Sequence, residues 1–237
     1  MRAPSLASVR QAIVACEDCP RLRRYCQNVA REKKAAHRQE TYWGRPVPGF
    51  GDPEARLLLV GLAPAAHGAN RTGRVFTGDG SGDFLAAALH ATGFANIATS
   101  RSADDGLALR DAYILAAVRC APPDNKPTPG EIVRCRRHLA AEIAALPRLR
   151  VVVALGKIGH DAYLAYLAET HCVRPRPRPA FGHGSEARPG AGLPVLLGCY
   201  HPSRQNTNTG RLTAPMMQAV FERARGIIRT QGGDHDA

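Results

Sequence analysis

Four short apolar runs constrain this chain more than any other feature. They are Arg56-Leu-Leu-Leu-Val-Gly61, Ala112-Tyr-Ile-Leu-Ala-Ala-Val118, Val151-Val-Val-Ala-Leu-Gly156 and Val195-Leu-Leu-Gly-Cys-Tyr200. Each is too short for a free-standing helix and too uniformly apolar for a strand with one wet face. Strands buried on both faces of a parallel sheet read this way. Helical patterns lie between them. Phe84 to His90 carries apolar residues at 84, 85, 88 and 89, and Thr128-Pro-Gly-Glu131 is a capping box with proline at the first helical position. The helix it opens has a stripe at Ile132, Cys135, Leu139, Ile143 and Leu146, and a last helix runs from about Pro215 to Ile228. The alternation predicts an α/β fold, a three-layer α/β/α sandwich around a central, mainly parallel four-stranded sheet. With no internal repeat and no second core, one domain is expected over 1–237. Its N-terminal helix would end in a Cys pair and its tail, from about 230, would be flexible.

A chain of 237 residues that is 44% apolar can bury a full core. No run approaches eighteen consecutive apolar residues, so no membrane span is expected. The first residues, MRAPSLASVRQAIVACEDC, lack an uninterrupted apolar stretch and read as an amphipathic helix rather than a signal peptide. A cytoplasmic protein follows, and there seven cysteines point to metal ligands or buried thiols rather than disulfides. Lys and Arg exceed Asp and Glu by 12, mostly through Arg, which suits bidentate phosphate contact. One small anionic metabolite would not need that many cations. Arg174-Pro-Arg-Pro-Arg-Pro179 reads as a loop, extended by its prolines and basic at alternate residues.

In open parallel sheets ligands bind beyond the carboxyl ends of the strands. After the first strand comes GLAPAAHGANRTGRVFTGDGSGDFL, with six glycines. It has no Gly-Lys-Ser/Thr for a P-loop, and Pro64 with about twenty residues before the helix excludes a dinucleotide turn. The loop is better read as a pocket wall. Ala63, Ala65 and Ala66 would let a flat group approach, Phe76 would offer a stacking face, and Asp79 is its most interesting polar group. Cys16-x-x-Cys19 sits at the end of the first helix, Cys120 closes the second strand, and Cys135 lies on the inner stripe of the next helix. Four such thiols suit zinc or an iron–sulfur cluster. Cys26, Cys172 and Cys199 have no partner of comparable spacing, and Cys199 reads as a core residue.

Long strings of this chain resemble family 5 (the UDGb type) of the uracil-DNA glycosylase superfamily. They are TYWGRPVPGFGDPEARLLLVGLAP (41–64), NRTGRVFTGDGSG (70–82), VRCAPPDNKPTP (118–129) and YHPSRQNTNTGRLT (200–213). The resemblance implies a three-layer α/β/α fold. It also implies a [4Fe–4S] cluster on Cys16, Cys19, Cys120 and Cys135, which decides iron–sulfur over zinc. The implied activity is hydrolysis of the N-glycosidic bond of deaminated bases in double-stranded DNA, without a lyase step. A monomer associated with the nucleoid through its DNA is expected. Sister families place a water-activating Asp where this chain has Ala63 and Ala65, and a uracil-reading Asn where it has Ala116. A roomier pocket follows, with hypoxanthine as a further substrate and Asp79 in the acidic role, Asn125 and His201 nearby.

Chemistry assigns the parts. A carboxylate such as Asp79 steers water and offsets positive charge on the sugar, while His201 stabilises the departing base anion. Ser203, Arg204 and Gln205 would grip a phosphate or wedge into the duplex. Each part has a plainer reading. Asp79 or Ser81 could cap a helix, Phe76 could be core, Asn125 could make a turn, and His201 could be a turn histidine. The rival function is a damaged-DNA-binding protein of the same fold that does not turn over.

Overall fold

The computed structural model of the protein describes residues 4–232. Ser5 caps the first helix, α1 (Leu6–Val14), its side chain accepting from the Ser8 N–H, and α1 buries Val9 and Ile13. Helix α2 (Pro20–Glu32) opens on proline and buries Leu22, Cys26 and Val29. A two-residue strand, β1 (Phe50–Gly51), precedes β2 (Leu57–Gly61), a one-turn helix α3 (Ala69–Thr72) and α4 (Gly80–Ala91). Strand β3 (Ala112–Ala116) leads to α5 (Pro129–Ala144), whose capping box closes in both directions between Thr128 and Glu131. Then come β4 (Val151–Leu155), α6 (Lys157–Thr170), β5 (Glu186–Ala187), β6 (Val195–Cys199), α7 (Arg204–Asn208) and α8 (Ala214–Gly232).

The strands form one sheet in the order β1-β3-β2-β4-β6-β5. The four long strands are those expected and all run parallel, with Leu59 opposite both Ile114 and Val153, and Val153 opposite Leu197. The sheet has six strands rather than four, because β1 and β5 add antiparallel edges. A two-residue strand carries no periodicity, so neither edge is visible in the sequence. Alternate strand residues face two helical layers. Leu57, Leu59, Ile114, Val153 and Leu197 pack under α4 and α8, while Leu58, Val60, Leu115, Val152 and Leu196 pack under α5 and α6. Cys199 is buried in the first of these cores. Among the described residues no helix is long and apolar enough to cross a membrane.

Three boundaries differ from expectation. Cys16 and Cys19 are not on α1 but in the turn that joins it to α2, where Cys19 is the N-cap residue. Helix α4 starts at Gly80, four residues before its apolar stripe, because Asp79 caps it. Helix α8 continues through residues 230–232, and 233–237 lie outside the described residues.

Candidate active site

The carboxyl ends of β2, β4 and β6 lie side by side, and the loops leaving them come into contact there. Eighteen residues separate Gly61 from Gly80, broken by α3. Glycines let this loop fold on itself. A Cβ at Gly68 would stand 2.3 Å from Asp79 Oδ2 and 3.2 Å from the Ala65 Cβ, so the carboxylate is seated on Gly68 beside Ala65. A Cβ at Gly61 would meet the Phe76 ring at 2.7 Å, and one at Gly82 would meet the Phe76 carbonyl at 2.3 Å. Phe76 itself has φ +48, a conformation rare for a bulky residue. Its half-buried ring packs on the core and lies 5.6 Å from the His201 ring, tilted by 35°. A Cβ on Gly156, at the end of β4, would sit 3.4 Å from the His201 Cβ.

Asp79 does two things at once. Its Oδ1 accepts the Gly82 N–H at 3.0 Å and caps α4, while Oδ2 faces Gly68. Burial raises its pKa above the usual carboxylate range, and the Gly82 and Ser81 N–H groups pull it back. Burial lowers His201 to about 4, so its imidazole is neutral at neutral pH. The His201 carbonyl accepts from Ser203 N and Asn206 Nδ2, both at 2.8 Å, which fixes the turn that presents the ring.

Two buried arginines hold the loop in shape. Arg71 donates from Nε to the His67 carbonyl at 2.8 Å and from Nη2 to the Gly78 carbonyl at 2.9 Å, and pairs with Glu40. Arg74 reaches both oxygens of Asp105 at 2.8 Å, as well as Thr77 Oγ1 and Ser100 Oγ. Sequence reasoning missed both. The string NRTGRVF shows the arginines but not that their heads turn inward, because that depends on carbonyls and a carboxylate up to 31 residues away.

The other expected residues are placed as follows. Ala63 packs against the cysteine-side cluster, whose members include Leu22, Val118 and Cys120. Ser203 is the N-cap of α7, its Oγ accepting from Asn206 N at 3.4 Å, and Arg204 and Gln205 are exposed on that helix. Asn125 is exposed at φ +57 in a one-turn 3-10 helix, and its side chain makes no hydrogen bond among the described residues. His67 Nδ1 and the Tyr42 hydroxyl are hydrogen-bonded at 3.1 Å. Asp83 accepts the Ser100 N–H at 2.9 Å and so ties α4 to the following loop.

Cys16, Cys19, Cys120 and Cys135 line one cavity together with Val118 and His138. Among the described residues no three His, Cys, Asp or Glu side chains are drawn into metal-holding geometry. The surroundings nevertheless fit a sulfur-ligated group. The Arg119 N–H donates to Cys135 Sγ at 3.2 Å, Arg137 Nη2 approaches Cys16 Sγ at 3.4 Å, and His138 Nε2 is buried with no partner. Burial pushes the Cys135 thiol up to about 12. Cys26 is a fifth thiol beside them, donating to the Ala121 carbonyl at 3.6 Å and contacting the Cys120 sulfur. Its spacing gives no hint of that neighbour. Behind the cavity Arg119 and Glu142, both 1% exposed, approach to 2.6 Å, off the angle of a good hydrogen bond, while Tyr113 and the Gly49 N–H satisfy the other carboxylate oxygen.

The site is thus a half-buried carboxylate and a neutral histidine at the strand ends of an α/β/α sandwich, with a cysteine-lined cavity alongside. The family model for the "Uracil DNA glycosylase superfamily" matches residues 48–225, and the chain belongs to that superfamily. Within it the similarity is to type 5. The chain is 51% identical over 217 residues to the "Type-5 uracil-DNA glycosylase" of Thermus thermophilus, covering 92% of this chain and 95% of that one. It is 48% identical over 226 residues to the protein of the same description from Mycobacterium tuberculosis, covering 95% and 82%. A "Type-4 uracil-DNA glycosylase" of Thermotoga maritima is 33% identical over 187 residues, covering 78% and 84%.

Proposed function

We propose that the chain excises uracil, and with it other deaminated bases such as hypoxanthine, from double-stranded DNA by hydrolysing the N-glycosidic bond. The observation that carries this reading is the half-buried Asp79 carboxylate, seated on Gly68 beside Ala65 and held by the Gly82 N–H. The target base must leave the stack, at a cost of a few kcal/mol that is smaller for a mismatched pair. Phe76 offers the extruded base a face, and the small side chain of Ala65 leaves room for it. Asp79 orients water toward the sugar carbon and offsets the positive charge that develops there. His201, neutral because it is buried, donates a hydrogen bond to the departing base anion. No Asn stands at Ala116 to match the uracil edge, which supports a tolerance of hypoxanthine.

Cys16, Cys19, Cys120 and Cys135 would hold a [4Fe–4S] cluster. Its chemistry there is structural ligation, tying the α1–α2 turn to β3 and α5. The purified protein should be brown and contain about four irons per chain. A colourless protein with one zinc would exclude the cluster and leave the glycosylase reading standing.

Single-turnover excision with enzyme in excess, on a duplex with one U·G pair, tests the catalytic reading. Asp79→Ala should keep its gel-shift on that duplex and lose roughly 10²- to 10⁴-fold in the chemical step. Asp79→Asn, which keeps the cap, tests whether the charge itself matters. A wild-type chain that binds the duplex yet leaves no alkali-labile site would make it a damage-binding protein instead. Asp79→Ala cleaving at the wild-type rate would reduce Asp79 to a helix cap.

A further inference from the structure

The segment Arg174-Pro-Arg-Pro-Arg-Pro179 has no part in the pocket, yet the fold brings it to the pocket's rim. Helix α6 leaves the carboxyl end of β4 and carries the chain to the far end of the sheet. The chain then climbs back. Arg178 Nη2 is 2.9 Å from Asp161, in the second turn of α6, and the Phe181 ring is 6.3 Å from Tyr200, the residue before His201. Strand β5 finally runs down beside β6, antiparallel to it. The climb starts from Val173, whose N–H bonds the Leu167 carbonyl near the end of α6, and brings Arg178 among other cations of that rim. Lys157 directly follows Gly156, Arg211 lies 4.8 Å over the Tyr200 ring, and Arg204 is exposed on α7.

Arg174, Arg176 and Arg178 are all exposed, and among the described residues only Arg178 has an ion pair. Its partner Asp161 is also paired with Lys157, so Arg178 can turn away without stranding a carboxylate. The prolines remove three N–H groups and restrict the backbone on either side of them. The segment therefore gives no ladder to the sheet edge, and its arginines lose little backbone freedom when a ligand engages them. A guanidinium fork matches phosphate oxygens, and a row of them tracks a phosphodiester chain.

We propose that this arginine–proline loop clamps the phosphate backbone of the DNA strand beside the extruded nucleotide, outside the base pocket. The inference rests on the glycosylase reading, and the test separates the two. Affinity for a duplex carrying one U·G pair is measured against salt for wild type, for Arg174→Gln/Arg176→Gln/Arg178→Gln, and for a charge-matched control. The control, Arg148→Gln/Arg150→Gln/Arg188→Gln, changes arginines toward the amino end of the strands. The loop variant should lower the log–log salt slope by roughly 0.9 for each phosphate it no longer neutralises, about 2 to 3 in all, with the control near wild type. Arg176→Gln alone, at an exposed bend, should lower it by about 0.9 and keeps the result readable if the triple variant misfolds. An unchanged slope in the loop variants, or an equal drop in the control, overturns the clamp while wild type still excises uracil. A wild type that neither binds nor cleaves the duplex overturns the glycosylase reading and the clamp with it.

Discussion

Between β2 and α4 the arginines turn inward; between α6 and β5 they stay in water. Arg71 and Arg74 are 8% and 5% exposed, and their heads take up carbonyls and a hydroxyl of the loop and carboxylates from outside it. Arg174, Arg176 and Arg178 alternate with prolines and find one carboxylate among them. Both loops end at the same rim. The first has small residues and many free carbonyls, so a guanidinium can be desolvated against several acceptors at once and the loop sets into one shape. The second has neither, because each proline fixes its own φ and crowds the residue before it. One loop turns its charge inward to fix its own shape, and the other leaves its charge exposed.

The sharpest way to break that contrast is to remove one arginine from each loop and compare melting. Arg74→Ala leaves Asp105, whose side chain is 13% exposed, without its guanidinium. Breaking a buried pair in this way should cost about 3–5 kcal/mol, read as a lower denaturation midpoint. The loss should shrink under acid. Asp105 is held down to about 2, against the pull of its burial, by the Leu107 N–H, Arg74 and the Arg101 and Ser102 N–H groups. A depressed carboxylate pKa contributes stability above its unfolded value of about 3.9, and that stability is lost as pH falls toward about 2. Should Arg74→Ala melt like wild type, the inward arginines are not what sets the pocket loop.

A middle-sized effect belongs to His201. Its pKa in the folded protein is lowered to about 4 by burial, against about 6.5 in an unfolded chain. The unfolded state therefore binds more protons between those values, and stability falls as pH drops from about 6.5 to about 4. His201→Gln should flatten the difference in that window, seen by comparing melting curves of the two proteins. Parallel curves would place the ring in water. The smallest effect is the counterpart of Arg74→Ala. Arg178→Ala breaks an exposed pair and should change stability by no more than about 0.5 kcal/mol.

The sequence alone determined the layers. Four wholly apolar runs have no stable place except the middle of a sheet covered on both faces, and the Thr128–Glu131 box starts α5 by local chemistry whatever surrounds it. It also singled out Asp79, His201 and the four cysteines, because their neighbours in the chain are unusual. It could not see β1 and β5, which are too short to carry a period. Nor could it see where the Asp79 carboxylate sits while it caps α4, since that depends on Gly68 lacking a side chain where the carboxylate lands. Only the tertiary structure decided which arginines are walls and which are free, and which fifth thiol stands beside the other four. An arginine's environment is set by acceptors supplied from tens of residues away, and no window of sequence contains them.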